Sequence, residues 1–192
     1  MGGNHRFFPA LSGPRFFMPG HKGTRRFFLP SSLDVTELPE TDNLFEPEKG
    51  GFIENLCARA RAIYGSSASF IAPFGTTIML RTLLYLYLKP GDLLFCGDNL
   101  HKSVVDSAAL LDLKLVLIGR KNGKIDPALL AEAKTRYPTA EFLLLTSPDY
   151  FGACEDLAAL KGFGLKLLVD NAHGSHLALS GRHPIQNGAF AA

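Results

Sequence analysis

The sequence has few of the features that are typical of secreted proteins, membrane-spanning proteins or proteins stabilised by a bound metal ion. Its three cysteines, Cys57, Cys96 and Cys154, are odd in number and lack CxxC spacing. We therefore expect neither a disulfide framework nor a zinc knuckle. The absence of a disulfide framework indicates a reducing compartment. The opening residues, MGGNHRFF, lack the apolar core of a secretory signal. The longest apolar run, at about 83–88, is far too short to span a bilayer. We therefore expect a cytoplasmic protein without a membrane partner.

Excess charge of either sign is also lacking. The chain has 20 basic and 18 acidic residues, and a net charge of +2 does not indicate a nucleic-acid or membrane partner. The residues before Asp34 nevertheless include no acid, and they carry Phe pairs at 7–8, 16–17 and 27–28. Such a basic and aromatic arm could bind RNA. Packing of the Phe residues against the protein itself or a partner subunit is the commoner use, so we expect no nucleic-acid partner.

The chain has two regions of different pattern. Residues 1–48 are irregular and rich in Pro and Gly, and we expect them to form an irregular N-terminal segment, followed by one partial large domain at 49–192. In that domain the apolar spacing and the turn residues predict helices at 52–64, 76–88, 101–112, 127–137 and 156–162, and strands at 67–72, 92–97, 114–119, 141–147 and 165–170. The strands are continuous apolar runs. This pattern is typical of an α/β fold in three α/β/α layers, with a mostly parallel sheet covered by helices on both faces.

Ligands of such sheets bind at the carboxyl ends of the strands, so the residues that follow each strand are the functional candidates. These are residues 74–77, 99–103, 146–150 and 170–173. The first group holds Gly75-Thr76-Thr77 between a strand and a helix, where free backbone N–H groups and hydroxyls suit a phosphate. Taken alone, a helix cap without a ligand is the commoner use of this pattern.

Three other kinds of site compete for these strand ends. The stretch VDNAH could end a nucleotide-hydrolase strand, but no G-x-x-x-x-G-K-[ST] motif is present, and no GxGxxG supports a dinucleotide site. His173 and His176, joined by His101 or Asp170, could bind zinc or iron. The glycine after His173 indicates a loop, so the helical spacing that would align the two imidazoles is not assured. We expect no metal site.

A binding site for pyridoxal phosphate (PLP) would explain the residues at all of these strand ends together. It requires a phosphate cup, a flat group stacked on its ring, and an acid that keeps the pyridine nitrogen protonated. Residues 75–77 supply the cup and His101 a flat imidazole. Asp170 ends a buried strand, where a cationic partner would offset the cost of burying its charge. Ala172 has a small side chain, so the second face of the PLP ring could approach it closely.

Six segments, in order, resemble successive motifs of the ornithine/lysine/arginine decarboxylase family of fold-type-I PLP-dependent enzymes. They are FFMPGHKG (16–23), DVTELPETDNL (34–44), APFGTT (72–77), NLHKSV (99–104), TSPDYFG (146–152) and LLVDNAHGSH (167–176). The resemblance implies the large domain of an aspartate aminotransferase-like fold. It also implies a lyase of polyamine biosynthesis that decarboxylates a small-molecule amino acid, and a homodimer or higher homo-oligomer. The start of the chain resembles the shorter family members, which have no receiver-like domain.

The resemblance also implies roles for single residues in binding the cofactor. Gly75, Thr76 and Thr77 would hold the phosphate. His101 would stack on the pyridine ring, and Asp170 would pair with the pyridine nitrogen. We expect His101 and Asp170 to act in catalysis as well as in binding.

Further residues match the family motifs less directly. Ala172 would pack on the second face of the ring, and His173 would lie close to the cofactor and take part in catalysis. Ser147 would reach the edge of the cofactor. His21 and Lys22, in the opening PGHKG, resemble the family's N-terminal signature and suggest an intersubunit contact near the active site.

The chain departs from the family pattern at several positions. Asn171 stands where the family usually has Glu, Asp149 where Thr is more usual, and Thr76-Thr77 where Ser-Thr is usual. In the family the cofactor forms a Schiff base with a lysine of a Ser-x-His-Lys motif, a few tens of residues after Asp-x-Ala-His. The last lysine of this chain is Lys166, before the acid.

Two interpretations follow from the missing lysine. We expect the chain to be the N-terminal fragment of a longer decarboxylase, and to be inactive by itself. The second interpretation is a stand-alone remnant with a binding or regulatory role. Alternative functions are those of another fold-type-I PLP enzyme, such as an aminotransferase or a C–S lyase, and of a non-catalytic interaction fragment. A sheet cut after its central strands would expose an apolar edge with unpaired backbone groups, which also favours the fragment.

Sequencing the source DNA past the codon for Ala192 tests the fragment interpretation. We expect an in-frame Ser-x-His-Lys within a few tens of codons, because the cofactor needs that lysine as its covalent anchor. A stop codon directly after Ala192 would contradict a catalytic role for this polypeptide.

Overall fold

The computed structural model describes residues 49–192. Residues 1–48 lie outside the described part, and with them the irregular N-terminal segment and the contact expected for His21 and Lys22, which stay predictions. Within the described part, no helix has both the length and the apolar character that crossing a membrane requires.

Helices and strands alternate along the described residues. Residues 56–192 form one compact unit, which contains the whole four-stranded sheet. The helices are α1 (Phe52–Tyr64), α2 (Gly75–Tyr87), α3 (Lys102–Leu110), α4 (Pro127–Arg136) and α5 (Leu157–Lys161). The strands are β1 (Leu93–Gly97), β2 (Lys114–Ile118), β3 (Arg120–Lys121), β4 (Lys124–Ile125), β5 (Phe142–Thr146) and β6 (Lys166–Asp170). Short 3₁₀ helices cover Ser175–Ser180 and Ile185–Asn187.

Four strands form one parallel sheet in the order β2-β1-β5-β6. Helices α3, α4 and α5 lie between successive strands of this sheet in the chain, which confirms the predicted mostly parallel sheet with flanking helices. On the outer side of β6, Ala191 forms a parallel bridge with Leu168, so the pairing continues past β6. A separate antiparallel hairpin joins β3 to β4.

The two faces of the sheet are both covered, which explains the continuous apolar strands. Alternate residues of a strand point to opposite faces. In β5, Leu143 and Leu145 pack in one buried cluster, and Leu144 packs in another. The first cluster includes Leu130 of α4, and the second includes Leu84 of α2. A strand enclosed in this way needs apolar residues at every position.

Cys96 belongs to the interior of the sheet. It is fully buried in β1, within the cluster that includes Leu84 and Leu144. Burial raises the pKa of the Cys96 thiol to about 12, because the charged thiolate would lose its hydration. The thiol therefore stays neutral and serves in packing.

Most predicted elements occur within two residues of their expected bounds, but the strand predicted at 67–72 is wrong. No strand forms there, and the ring of Phe70 is 80% exposed. A strand exists only through hydrogen bonds to a neighbouring strand, and this segment pairs with none among residues 49–192. Instead, the hydroxyls of Ser66 and Ser69 bond each other at 2.7 Å, a local contact that competes with extended structure.

The hairpin of β3 and β4 was not predicted from the sequence. Its two strands have two residues each and flank Asn122-Gly123. Both turn residues have positive φ, 54° for Asn122 and 77° for Gly123. Asn-Gly favours this hairpin turn, because both residue types adopt positive φ readily. The hairpin brings Arg120 to the carboxyl edge of the sheet, directly after β2.

The burial of β5 predicts the result of truncating its central leucine. Leu144→Ala should lower the free energy of unfolding by about 2–5 kcal/mol, because the side chain is fully buried and leaves a cavity. Leu117→Ala in β2 is the matched control, since that leucine is 59% exposed. Denaturant unfolding of both variants measures the difference, and equal losses would contradict the described packing.

Candidate functional site

Asp170 ends β6 at the carboxyl edge of the sheet, next to the end of β5. Thr146 pairs with Asp170 in the strand register, and the N–H of Ser147 donates to the Asp170 carbonyl at 3.0 Å. The Asp170 side chain is buried, and its Oδ1 accepts a hydrogen bond from the N–H of Ala172 at 3.2 Å. The structure therefore brings Asp170 and Ser147 together and fixes the orientation of the carboxylate.

Ser147 holds the loop that follows β5. The residue is buried, and its Oγ accepts a hydrogen bond from the N–H of Glu155 at 3.0 Å. The hydroxyl hydrogen can still donate, because a hydroxyl accepts and donates through different positions. Ser147 is thus fixed beside Asp170 and retains a donor, which is compatible with its expected contact with a ligand edge.

His101 lies at the end of β1 and caps helix α3. Its Nδ1 accepts a hydrogen bond from the N–H of Ser103 at 3.2 Å and lies 2.8 Å from the Ser103 hydroxyl. These bonds orient the imidazole. A nitrogen that accepts carries no hydrogen, so the neutral ring has its hydrogen on Nε2. The residue is exposed, and an oriented flat ring of this kind can stack on a ligand ring.

The expected phosphate cup begins helix α2. Gly75 has a φ of +74° and no heavy atom within 4 Å of the position that a Cβ would occupy. The N-cap residue, Phe74, forms no side-chain cap, and Thr76 is exposed while Thr77 is half-buried. Helix α2 precedes β1 in the chain, and in a parallel α/β sheet we expect the N-terminus of such a helix on the side of the carboxyl edge. Open backbone donors at that position suit an anion.

Ala172 and His173 form the turn after Asp170, and both are exposed. The N–H of Gly174 closes the turn on the carbonyl of Asn171 at 2.9 Å. A Cβ at Gly174 would lie only 2.0 Å from Asn171 Oδ1, so this position requires glycine. No group of three or more His, Cys, Asp or Glu side chains in residues 49–192 is arranged to hold a metal ion, and the pair His173 and His176 gains no third ligand there.

Buried polar atoms without partners indicate where a ligand would fit. Asn99 Nδ2 has no acceptor within the described residues, and Asn171 Oδ1 has no donor there. Asn99 follows β1, and its carbonyl accepts from the Thr146 hydroxyl at 3.4 Å; Asn171 follows β6. Buried polar groups are nearly always paired, so the open donor of Asn99 at the carboxyl edge fits a polar ligand, whereas Asn171 Oδ1 packs against Gly174 within the turn. The sequence motif contained Asn99, but nothing in its pattern distinguished the residue.

Lys166 lies at the opposite end of β6 from Asp170. The two residues are four positions apart along the strand, a distance of about 13 Å. Its Nζ forms an ion pair with Glu141 at 3.2 Å and lies 4.9 Å from the centroid of the Phe142 ring. The last lysine of the sequence is therefore engaged at the amino edge and cannot anchor a cofactor at the carboxyl edge.

His183 is a residue of this region that the sequence did not single out. It is buried, its ring centroid lies 4.5 Å from that of Tyr64, and its Nε2 lies 2.8 Å from Asn171 Nδ2. Burial lowers the pKa of His183, because the charged imidazolium would lose its hydration. The neutral ring thus packs between Tyr64 and Asn171 and supports the turn that follows Asp170.

The chain has relatives among curated proteins, although no family model matches it. It is 31% identical over 192 residues to the uncharacterized protein YaaO of Bacillus subtilis, an alignment that covers 88% of this chain and 39% of YaaO. It is 28% identical over 194 residues to an arginine decarboxylase of the same organism, covering 89% of this chain and 39% of that protein. The chain therefore spans about two fifths of the length of these relatives.

Solved structures with a similar fold include an enzyme in its internal aldimine state and a PLP-dependent protein. L-threonine transaldolase of Pseudomonas fluorescens has a TM-score of 0.64 at 19% identity, over 80% of this chain and 37% of its own. The pyridoxal-5'-phosphate-dependent protein YhfS of Escherichia coli has a TM-score of 0.57 at 18% identity, over 72% of this chain and 38% of its own. The fold is that of PLP-dependent, aminotransferase-like proteins. With the relatives named arginine decarboxylase, it supports the decarboxylase resemblance at the level of the family.

The buried His183 predicts how stability depends on pH. Because the folded-state pKa lies below the ordinary value of 6.5, protons bind the unfolded chain more tightly. The free energy of unfolding should be highest above pH 6.5 and fall as the pH drops from there toward the lowered pKa. Urea unfolding of the wild type and His183→Gln measures this, and the variant should lose that part of the pH dependence. His176→Gln, at an exposed position, should keep it.

Proposed function

We propose that this chain forms the N-terminal part of a PLP-dependent decarboxylase of a basic amino acid. The product would be agmatine from arginine, or a diamine from lysine or ornithine. The buried carboxylate of Asp170, fixed at the carboxyl edge beside Ser147, is the observation that carries the proposal. The complete protein would act as a cytoplasmic homodimer or higher homo-oligomer.

The residues of the carboxyl edge fit PLP. The open N-terminus of α2 at residues 75–77 would bind the phosphate, and the Thr76 and Thr77 hydroxyls would add hydrogen bonds. His101, oriented by Ser103, would stack on the ring. Bound PLP would supply an electron sink for the electron pair left when the α-carboxylate departs as CO₂.

Asp170 would keep a proton on the pyridine nitrogen. A carboxylate accepts an N–H hydrogen bond and stabilises a cation most strongly where water is excluded, and Asp170 is buried. Its Oδ1 already accepts from Ala172, and this bond sets the direction of the carboxyl group. The small side chain of Ala172 would leave room at the second face of the ring, with His173 close by.

Arginine is the first substrate to test. Relatives from Bacillus subtilis and Bacillus cereus, at 28% and 27% identity, are named arginine decarboxylase. Lysine and ornithine belong in the same assay, because the 31% identical relative YaaO has no activity in its name.

A different PLP reaction is the second candidate function. The structural similarity to L-threonine transaldolase, with a TM-score of 0.64, favours it, because one fold supports many reactions. An aminotransferase or C–S lyase would convert an amino acid without releasing the α-carboxylate. Measuring CO₂ from carboxyl-labelled arginine, lysine and ornithine separates these reactions from decarboxylation.

Replacing Asp170 tests the proposal in the complete protein. Asp170→Asn keeps the size of the side chain but removes the charge that holds the pyridine proton, so we expect kcat to fall by about 10²- to 10³-fold. Asp156→Asn is the matched control: Asp156 caps α5 by accepting from the N–H of Ala159, and Asn caps equally well. CO₂ release measures both variants. Near-normal turnover of Asp170→Asn would contradict the role of Asp170.

A further inference from the structure

Arg120 joins loops at the carboxyl edge that are far apart in sequence. Its Nε donates to Asp98 Oδ1 at 2.6 Å, and its Nη1 donates to Asp149 Oδ2 at 3.2 Å. The same Nη1 lies 3.4 Å from the carbonyl of Gly123, across the β3–β4 hairpin. The Arg120 side chain is only 22% exposed. One guanidinium thus makes two ion pairs from a mostly enclosed position.

The two carboxylates belong to the loops that carry candidate site residues. Asp98 directly follows β1 and lies three positions before His101. Asp149 lies in the loop after β5, two positions after Ser147. Arg120 enters from the end of β2, so it connects three neighbouring loops of the same edge.

Asp149 organises its own loop around this ion pair. Its Oδ1 accepts from the N–H groups of Phe151 and Ala153, each at 2.9 Å, and its Oδ2 faces Arg120. Hydrogen bonds from Ala153 and Phe151, together with the guanidinium, hold the pKa of Asp149 below its ordinary value. The carboxylate is therefore charged, and each of its oxygens is engaged.

The two ion pairs differ in what their loss would leave behind. The Asp98 side chain is 46% exposed, and water can solvate it if Arg120 is removed. The Asp149 side chain is only 9% exposed, so the loss of Arg120 would leave a buried charge that has only backbone partners. The loop after β5 therefore depends on Arg120 more strongly than the loop after β1 does.

We propose that Arg120 is a positioning residue that fixes the loop carrying His101 relative to the loop carrying Ser147. Its charge holds Asp98 on one side and Asp149 on the other, so the imidazole and the Ser147 hydroxyl keep a constant separation. A ligand ring bound between these loops would find both groups already in place, at no cost of ordering them. The identity of that ligand rests on the function proposed above, whereas the coupling of the loops does not.

The first test is amide hydrogen exchange on the complete protein without added PLP. Arg120→Met removes the charge and keeps the apolar stem, and Lys121→Met is the matched control at the next, exposed position of β3. Arg120→Met should speed exchange in both loops, more at residues 149–153 than at residues 99–103, while the amides of β5 keep their protection. Lys121→Met should leave both loops unchanged. Faster exchange in one loop alone would overturn the coupling.

The second test separates positioning from a structural role. With PLP added, the Arg120→Met variant should bind the cofactor more weakly, and the circular dichroism of the bound ring should change. Its kcat should fall by up to about 10²-fold, because catalysis is sensitive to small displacements of the groups that hold the reacting molecule. Arg120→Lys should restore part of each property, since Lys keeps the charge but not the two-pronged geometry. Unchanged PLP binding, dichroism and kcat in Arg120→Met would overturn the positioning role.

The two tests also distinguish this inference from the proposed function. If the wild-type protein binds no PLP and releases no CO₂ from any of the three substrates, the proposed function fails. The exchange experiment then decides by itself whether Arg120 couples the loops: faster exchange in both supports the coupling, and unchanged exchange overturns it.

Discussion

The parallel pairing of β5 with β6 is the constraint on which the candidate site depends. It sets Thr146 opposite Asp170, and the bond from the Ser147 N–H to the Asp170 carbonyl extends the pairing beyond the strands. A shift of β6 by one residue would draw the Asp170 carboxylate toward the level of Leu145, inside an apolar layer. A charge there would have no partner and would cost several kcal/mol. The packing of the core therefore fixes where the carboxylate emerges.

The environment of each buried titratable group depends on its position relative to the sheet. Within the layers, burial raises the pKa of Cys96 to about 12, and behind the turn after β6 it lowers the pKa of His183, so both groups stay neutral and support packing. At the carboxyl edge the buried carboxylates have donors: Asp149 has Arg120 and two backbone N–H groups, and Asp170 has the N–H of Ala172. The chain thus supplies hydrogen-bond donors for these two buried carboxylates at the edge where parallel sheets bind ligands.

The fold alone does not select a reaction. Solved structures that share it include a transaldolase and a PLP-dependent protein with no reaction in its name. The case for decarboxylation rests instead on the named relatives and on the order of the motifs along the chain. The two structural neighbours, at 19% and 18% identity, share the backbone fold and do not add to the choice of reaction.

The sequence by itself determined the alternation of helices and strands and the identity of the residues at the strand ends. Apolar spacing and turn residues are local signals, so the bounds of most elements and the position of Asp170 could be predicted. Tertiary structure alone decided that 67–72 is not a strand, since a strand needs a neighbour, and that His183 supports the turn after β6. It alone decided that Arg120 meets Asp149, 29 positions away, because such contacts depend on strand order and register.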